Sequence, residues 1–269
     1  MLRSMYSGIS GMKNFQTKLD VIGNNIANVN TYGFKKGRTT FQDLVSQQIA
    51  GASAPANGRG GINPKQVGLG SQLASIDTIH TQGSLQTTAR PLDLAISGDG
   101  FFVVSDGTND FYTRAGNFYL DQDGTLVNSA GLKVMGTDSD GNGAPDEIVI
   151  PTDAQSFSIG ADGSVSYVDN AGTLQTAGMI QLAKFANNGG LQKAGSNLYE
   201  ETTNSGIAVL TTAGQAGAGE VVAGALEMSN VDLSAAFTEM IVAQRGFQAN
   251  TRIITTSDEI LQELVNLKR

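Results

Sequence analysis

Cysteine is absent from this sequence of 269 residues, which removes disulfides and thiolate chemistry and by itself leaves the compartment open. Tryptophan is also absent, aromatic residues amount to 6%, and His80 is the only histidine. With no thiol and a single imidazole, a catalytic centre is not expected. No stretch approaches eighteen consecutive apolar residues, so no membrane-spanning helix is expected. The first residues, MLRSMYSGISGMK, hold no apolar core followed by a small-residue cleavage site, and a cleaved signal peptide is not expected.

Glycine, by contrast, is plentiful at 34 residues, and with 40% hydrophobic and 16% charged residues it indicates a folding chain of short strands and many turns. The length suits one large domain or two to three smaller ones. The net charge of −8 is unevenly spread. Residues 1–40 carry Arg3, Lys13, Lys18, Lys35, Lys36 and Arg38 against Asp20 alone, while the middle of the chain holds most of the acids. A basic arm can mark nucleic-acid contact. Here the cations are scattered along an amphipathic pattern, so no nucleic-acid partner is expected.

Both ends of the chain read as helices. Towards the C-terminus Leu233, Met240, Phe247, Ile254 and Leu261 recur at intervals of seven, and Phe237 and Val265 follow members of that series by four. Such a repeat lays a narrow apolar stripe along a helix. Gln244, Thr251 and Asp258 stand at the expected companion positions, which makes the seam weak alone and in need of a partner. The N-terminus supplies one: Leu2, Met5, Ile9, Met12, Phe15, Leu19, Ile22, Ile26 and Val29 step by three or four. Gly8, Gly11 and Gly23 each cost an isolated helix about 1 kcal/mol and permit close approach of a neighbour. The run 28–33 is expected to stop this helix, with Gly33 as a left-handed cap.

Between the helices the pattern changes. Phe41, Leu44, Val45 and Ile49 suggest a short helix, residues 50–64 (AGASAPANGRGGINP) a loop or extended excursion, and Leu73, Ser75, Ile76, Thr78 and Ile79 a strand. From residue 84 the chain reads as all-β. Asp-Gly pairs at 99–100, 106–107, 123–124, 140–141 and 162–163 predict hairpins, with Phe157, Ile159, Val165 and Tyr167 flanking the last. The fold class expected is therefore mainly β with terminal α-helices. Residues 1–33 and 231–269 would form a coiled-coil-like helical core domain, 34–83 an extended connector, and 84–230 an inserted β domain.

Chemical motifs are few. His80 with Asp77 lacks a nucleophile-elbow serine and reads as a strand histidine. Gly68-Leu69-Gly70 and Gly98-Asp99-Gly100 do not open helices and read as turns. The sharpest pattern is Asp138, Asp140 and Asn142 with Gly143 and Asp146, the opening of a calcium loop. Val149 occupies the place of its usual closing glutamate, which only Glu147 or a carbonyl could replace, so the expectation is no cofactor, with calcium as a minor alternative.

Three stretches carry a family resemblance. LDVIGNNIANVNTYGFKK (19–36) and SNVDLSAAFTEMIVAQRGFQAN with TSDEILQELVNL at the C-terminal end resemble the terminal signatures of the bacterial flagellar axial proteins, the rod and hook subunits. RPLDLAISGDGFFVV and FYTRAGNFYLDQDGTLVNSAG are similar to that family's β domain. The resemblance implies motif roles for Asn24, Asn25, Asn28, Asn30, Thr31, Gly33, Phe34, Gln244 and Arg245. It implies a structural subunit that stacks with copies of itself into a helical homopolymer through the apolar residues of the two helices. It also implies contacts with other axial proteins, hook cap and junction proteins and the type III export apparatus, and a place in the hook or basal body. Features of the C-terminal helix favour the hook, with the distal rod as the alternative. A secreted calcium-binding β-protein is a remote third reading.

Overall fold

The three-and-four spacing of apolar residues at the chain ends produces two long helices in the computed structural model, which describes residues 2–55, 60–137 and 145–267. Helix α1 spans Leu2–Ala27 and α2 spans Leu233–Asn266. Asp232 caps α2: its carboxylate accepts from the amides of Ser234 (2.8 Å) and Ala235 (3.3 Å), two donors the helix cannot satisfy itself. Gly33 is left-handed, with φ +69°, but lies beyond the turn that ends α1 and does not cap it. Only glycine fits there, because a Cβ would lie 2.5 Å from the amide nitrogen of Ala115.

Between the helices and beside them the chain is β. Residues 41–49 are not helical, contrary to the expectation. Strand β1 (Gly37–Asp43) pairs antiparallel with β4 (Ser71–Thr78), and β2 (Gln47–Ala50) with β3 (Lys65–Val67). Four apolar residues cannot nucleate a helix alone, and β4 offers β1 a full ladder with a bulge at Thr40/Phe41. The β2–β3 hairpin, extended by a bridge between Ser53 and Ile62, is exposed throughout.

The chain divides into two compact units. One, the helical unit, comprises Met1–Ala27, Gly37–Thr78 and Asp232–Arg269; the other, the β unit, comprises Asn28–Lys36 and Ile79–Val231. The stretch 34–83 is thus shared between them, since β1 and β4 pack on α1 whereas Phe34 and Lys35 are buried in the β unit.

The β unit is built on the eleven-residue strand Leu174–Lys184, which pairs with 164–168, 133–137, 101–105 and 209–212 along its length. Asp106-Gly107, Asp123-Gly124 and Asp162-Gly163 do turn hairpins, and Phe157 faces Tyr167 across the last of them. Asp99-Gly100 does not: strand 94–97 pairs with 220–223, while 101–105 joins the main sheet. Asp140-Gly141 lies outside the described residues. The run Phe101–Ser105 is apolar without alternation because both its faces are covered. Phe102 and Val104 enter one core with Phe118, Leu126, Ile180 and Leu182; Phe101 and Val103 enter another with Tyr112, Phe185 and Tyr199.

Candidate assembly surface

The helices meet in opposite directions: Gly8 lies by Ile254, Gly11 by Asn250, and Phe15 by Gly246. Glycine makes this approach possible, because a Cβ on Gly11 would come within 2.8 Å of the Asn250 amide and one on Gly246 within 2.5 Å of the Phe15 ring. On α2 the heptad series Met240, Phe247, Ile254 and Leu261 is half-buried, but its companions sit three residues on, not four. Ala243 and Ser257 are buried and Asn250 half-buried, while Gln244, Thr251 and Asp258 are exposed. The polar members satisfy themselves, Ser257 Oγ donating to the Ile253 carbonyl at 2.7 Å and Asn250 Nδ2 to that of Gly246 at 3.1 Å. Small residues here exchange apolar area for proximity, a trade that hydropathy alone does not reveal.

On α1, Ile22 is buried and Met5, Met12, Phe15, Leu19 and Ile26 are half-buried; the side chain of Leu2 lies outside the described residues. Ile9, Leu233, Phe237 and Val265 remain exposed. The pairing of α1 with α2 therefore uses only part of the apolar surface. Val242, Ile253, Ile260 and Leu264, spaced by eleven, seven and four, line one flank of the α2 seam, and Phe237 with Ile241 lines the other. Phe41, Leu73 and Ile76 on the β1–β4 ribbon and Ile49 and Ile62 on the β2–β3 hairpin add further exposed apolar surface to this unit. Surface of this extent marks an interaction site. Among the described residues no helix is long and apolar enough to cross a membrane.

The signature residues divide between the two units. In the helical unit Asn25, 8% exposed, holds both backbone groups of Gly37: Nδ2 donates to its carbonyl and Oδ1 accepts from its amide, each at 2.9 Å. Asn24 is exposed, as are Gln244 and Arg245, the latter donating to Gln248 Oε1 at 3.5 Å. In the β unit Thr31 Oγ1 donates to Asn28 Oδ1 at 3.1 Å, and Thr31 and Asn30 line a polar cleft of about 230 Å³ with Asn117, Asn128 and Asn197. Phe34 is buried beneath the Lys193 ammonium, 5.2 Å from its ring centroid.

Sequence reasoning missed the residues with the highest electrostatic stakes. Lys35 and Glu227 are fully buried and paired with each other, and Arg114, 4% exposed, donates to the second carboxylate oxygen at 3.1 Å. Every side-chain nitrogen and oxygen of the three residues but one has a partner. Lys35 Nζ donates to the Thr81 carbonyl, Arg114 to that of Gly98, and Glu227 accepts the Gly83 amide; only Arg114 Nε lacks a partner. Burial pulls the Lys35 ammonium below its ordinary value, with Glu227 opposing. An acid inside the apolar run Ala225–Met228 was the available signal, since Lys, Arg and Glu are almost never fully buried unless paired. Asn230, also missed, accepts the Lys36 amide at 2.8 Å and donates to the carbonyls of Ile79 (2.8 Å) and Thr81 (3.2 Å).

His80 lies just beyond β4, not within a strand, against the rings of Phe101 and Tyr199. Burial, then Lys35, Arg114 and Lys193, push its imidazole down to about 4, and its Nδ1 has no hydrogen-bond partner. Asp77 pairs with Arg38. Asp138, Asp140 and Asn142 lie outside the described residues. Asp146 is exposed and accepts the Glu147 amide, and Glu147 pairs with Lys133 at 2.7 Å. Among the described residues no group of three potential metal-ligating side chains occurs.

Three family models match along the chain. Residues 5–35 match the flagella basal body rod protein model, 95–167 the flagellar hook protein FlgE/F/G D1 domain, and 222–267 the flagellar basal body rod FlgEFG protein C-terminal region. The first segment contains Asn25 and Lys35, the third Glu227 and Asn230. The chain is 63% identical over 270 residues to the flagellar basal-body rod protein FlgG of Bacillus subtilis (strain 168), with all of both chains covered. It is 39% identical over 276 residues to the FlgG of Borreliella burgdorferi, again covering both chains. To the flagellar hook protein FlgE of the same organism it is 34% identical over 441 residues, all of both chains being covered.

Proposed function

Since the chain belongs to the family of flagellar hook and basal-body rod proteins, and is a structural subunit of the axial part of the bacterial flagellum, we propose that it is the distal rod subunit. This replaces the hook assignment expected from the C-terminal helix. The supporting observation is the 63% identity to a rod protein over 270 residues, the length of this chain almost to the residue. The hook relative reaches 34% only in an alignment of 441 positions, which carries long additional segments that this chain lacks. MIVAQRGFQAN, read as hook-like, lies within residues 222–267, whose match is to a C-terminal model named for FlgE, FlgF and FlgG together, and so does not separate hook from rod.

The mechanism follows from the exposed flanks of the helical unit. One α1–α2 pair cannot bury Val242, Ile253, Ile260, Phe237 and Ile241 while they stay at its surface. Stacking copies head to tail covers them, and because such contacts join different patches they do not close on themselves; they propagate into a tube. The β2–β3 hairpin, exposed along its whole length, is covered in the same way. Its neighbours are further copies and other axial proteins. The role requires neither catalysis nor a cofactor, and titration with millimolar calcium is expected to give no heat. Electron microscopy of the assembled full-length chain tests the assignment: straight tubes are expected, and supercoiled or curved tubes would return it to the hook.

A further inference from the structure

The chain passes between its two units four times, at 27/28, 36/37, 78/79 and 231/232. At the second passage every backbone polar group of the dipeptide Lys36-Gly37 is bound. The Lys36 amide donates to Asn230 Oδ1 and its carbonyl accepts from Ile79; the Gly37 amide and carbonyl are both held by Asn25. Asn230 also donates to Ile79 and Thr81, with the Thr81 hydroxyl oxygen at 3.0 Å, so one side chain binds residues at the second and third passages while sitting one residue before the fourth. The two asparagines come from opposite ends of the chain, and each grips the passing peptide from within its own unit.

We propose that Asn25 and Asn230 are positioning residues of assembly, which hold the backbone of Lys36 and Gly37 and so give the polymer its stiffness. The chemistry selects asparagine. A primary amide presents a donor and an acceptor side by side, matching the edge of a peptide group. Aspartate keeps the acceptor but sets a carboxylate against the carbonyls that Nδ2 now serves, and glutamine is one methylene too long. Segments that carry large motions in proteins do so through a few residues at element ends that absorb φ/ψ change. Residues 36 and 37 lie at the start of β1, and their backbone groups are bound. The inference deepens the rod assignment and rests on it for the meaning of stiffness.

The test has two parts, both on the full-length chain. Amide hydrogen exchange of the subunit reads the clamps directly. Asn230→Ala is expected to speed exchange at Lys36 and Asn25→Ala at Gly37, each by about tenfold, the loss of roughly one hydrogen bond. Electron microscopy of tubes from Asn25→Asp, Asn230→Asp and the double variant reads the consequence. Shorter persistence lengths than wild type are expected, with β-unit melting unchanged in Asn25→Asp, whose partner lies in the helical unit, and somewhat lower in Asn230→Asp, whose partners lie in the β unit. Variant tubes as stiff as wild type would overturn the proposal, whether or not the two amides lose protection. So would a failure to form tubes, or a fall in β-unit melting without loss of stiffness, since these assign the residues to affinity or to folding. Curved wild-type tubes would instead remove the rod assignment and leave the comparison of variant with wild type as the measure of the clamps.

Discussion

The two units solve the problem of apolar surface in opposite ways. The β unit closes on itself: nearly all the fully buried apolar side chains among the described residues are its own, and the helical unit contributes only Ile22 and Ala243. The helical unit instead spreads its apolar residues over flanks that one copy cannot cover. Charge follows the same division. The helical unit holds ten Lys and Arg against eight Asp and Glu, the β unit seven against seventeen. In the proposed polymer the acidic β units of neighbouring copies repel one another, so cohesion falls to the helical units, whose charge is nearly balanced. A unit with its own buried core and one that leaves apolar flanks exposed coexist in one chain, and mutations should separate them.

The largest effect is expected in the β unit. Glu227→Ala leaves Lys35 and Arg114 buried without a counter-charge, which costs about 3–5 kcal/mol. Calorimetry should show the β-unit transition moved far down or lost; an unchanged transition would refute the role given to the pair. Ile260→Asp should do the reverse. Ile260 is exposed in the subunit, so β-unit melting should stay put, while burying a carboxylate at each contact costs several kcal/mol and sedimentation should find no polymer. Ile254→Asp, in the seam itself, should also open the α1–α2 pair.

Gly246→Ala is a subtler probe of the seam. Its methyl group meets the Phe15 ring, and overpacking of this kind costs about 1–3 kcal/mol. Gly23→Ala meets nothing within 4 Å and should raise helix stability by about 1 kcal/mol, so the two alanines should shift helical melting in opposite directions. The smallest effect is a slope. The unfolded chain protonates His80 near 6.5 and the native one only at about 4, so the unfolded state binds the extra proton first. Stability should fall as pH drops from 6.5 towards 4 and level off below. His80→Phe should flatten that part of the profile, and an identical slope in the variant would disprove the assignment.

Much of this division is legible in sequence because it rests on periodicity. Steps of three and four located α1 and α2, and three of the Asp-Gly pairs placed hairpins whose strands supply the β core. The seam register was misread because Ala243, Asn250 and Ser257 are chosen for size, and size leaves no trace in an apolar count. The helix expected at 41–49 gives way to strand because part of it pairs with β4, some thirty residues on. Lys35, Arg114 and Asn230 were invisible for the same reason, and Glu227 showed only as an acid inside an apolar run: their partners are brought together from 46 to 194 positions away.

The Glu227 contacts also impose an order in time. A chain that emerges N-terminus first presents Lys35 and Arg114 early, and their shared carboxylate only 192 and 113 residues later. Strands 94–97 and 85–87 wait likewise for 220–223 and 225–227. Until then, closing the base of the β unit would bury two like charges together, and the open form is favoured. The last tenth of the β unit to appear thus acts as a latch. The main sheet, paired among residues 101–212, can form before it, and this last part of the β unit is set only when residues 220–227 arrive.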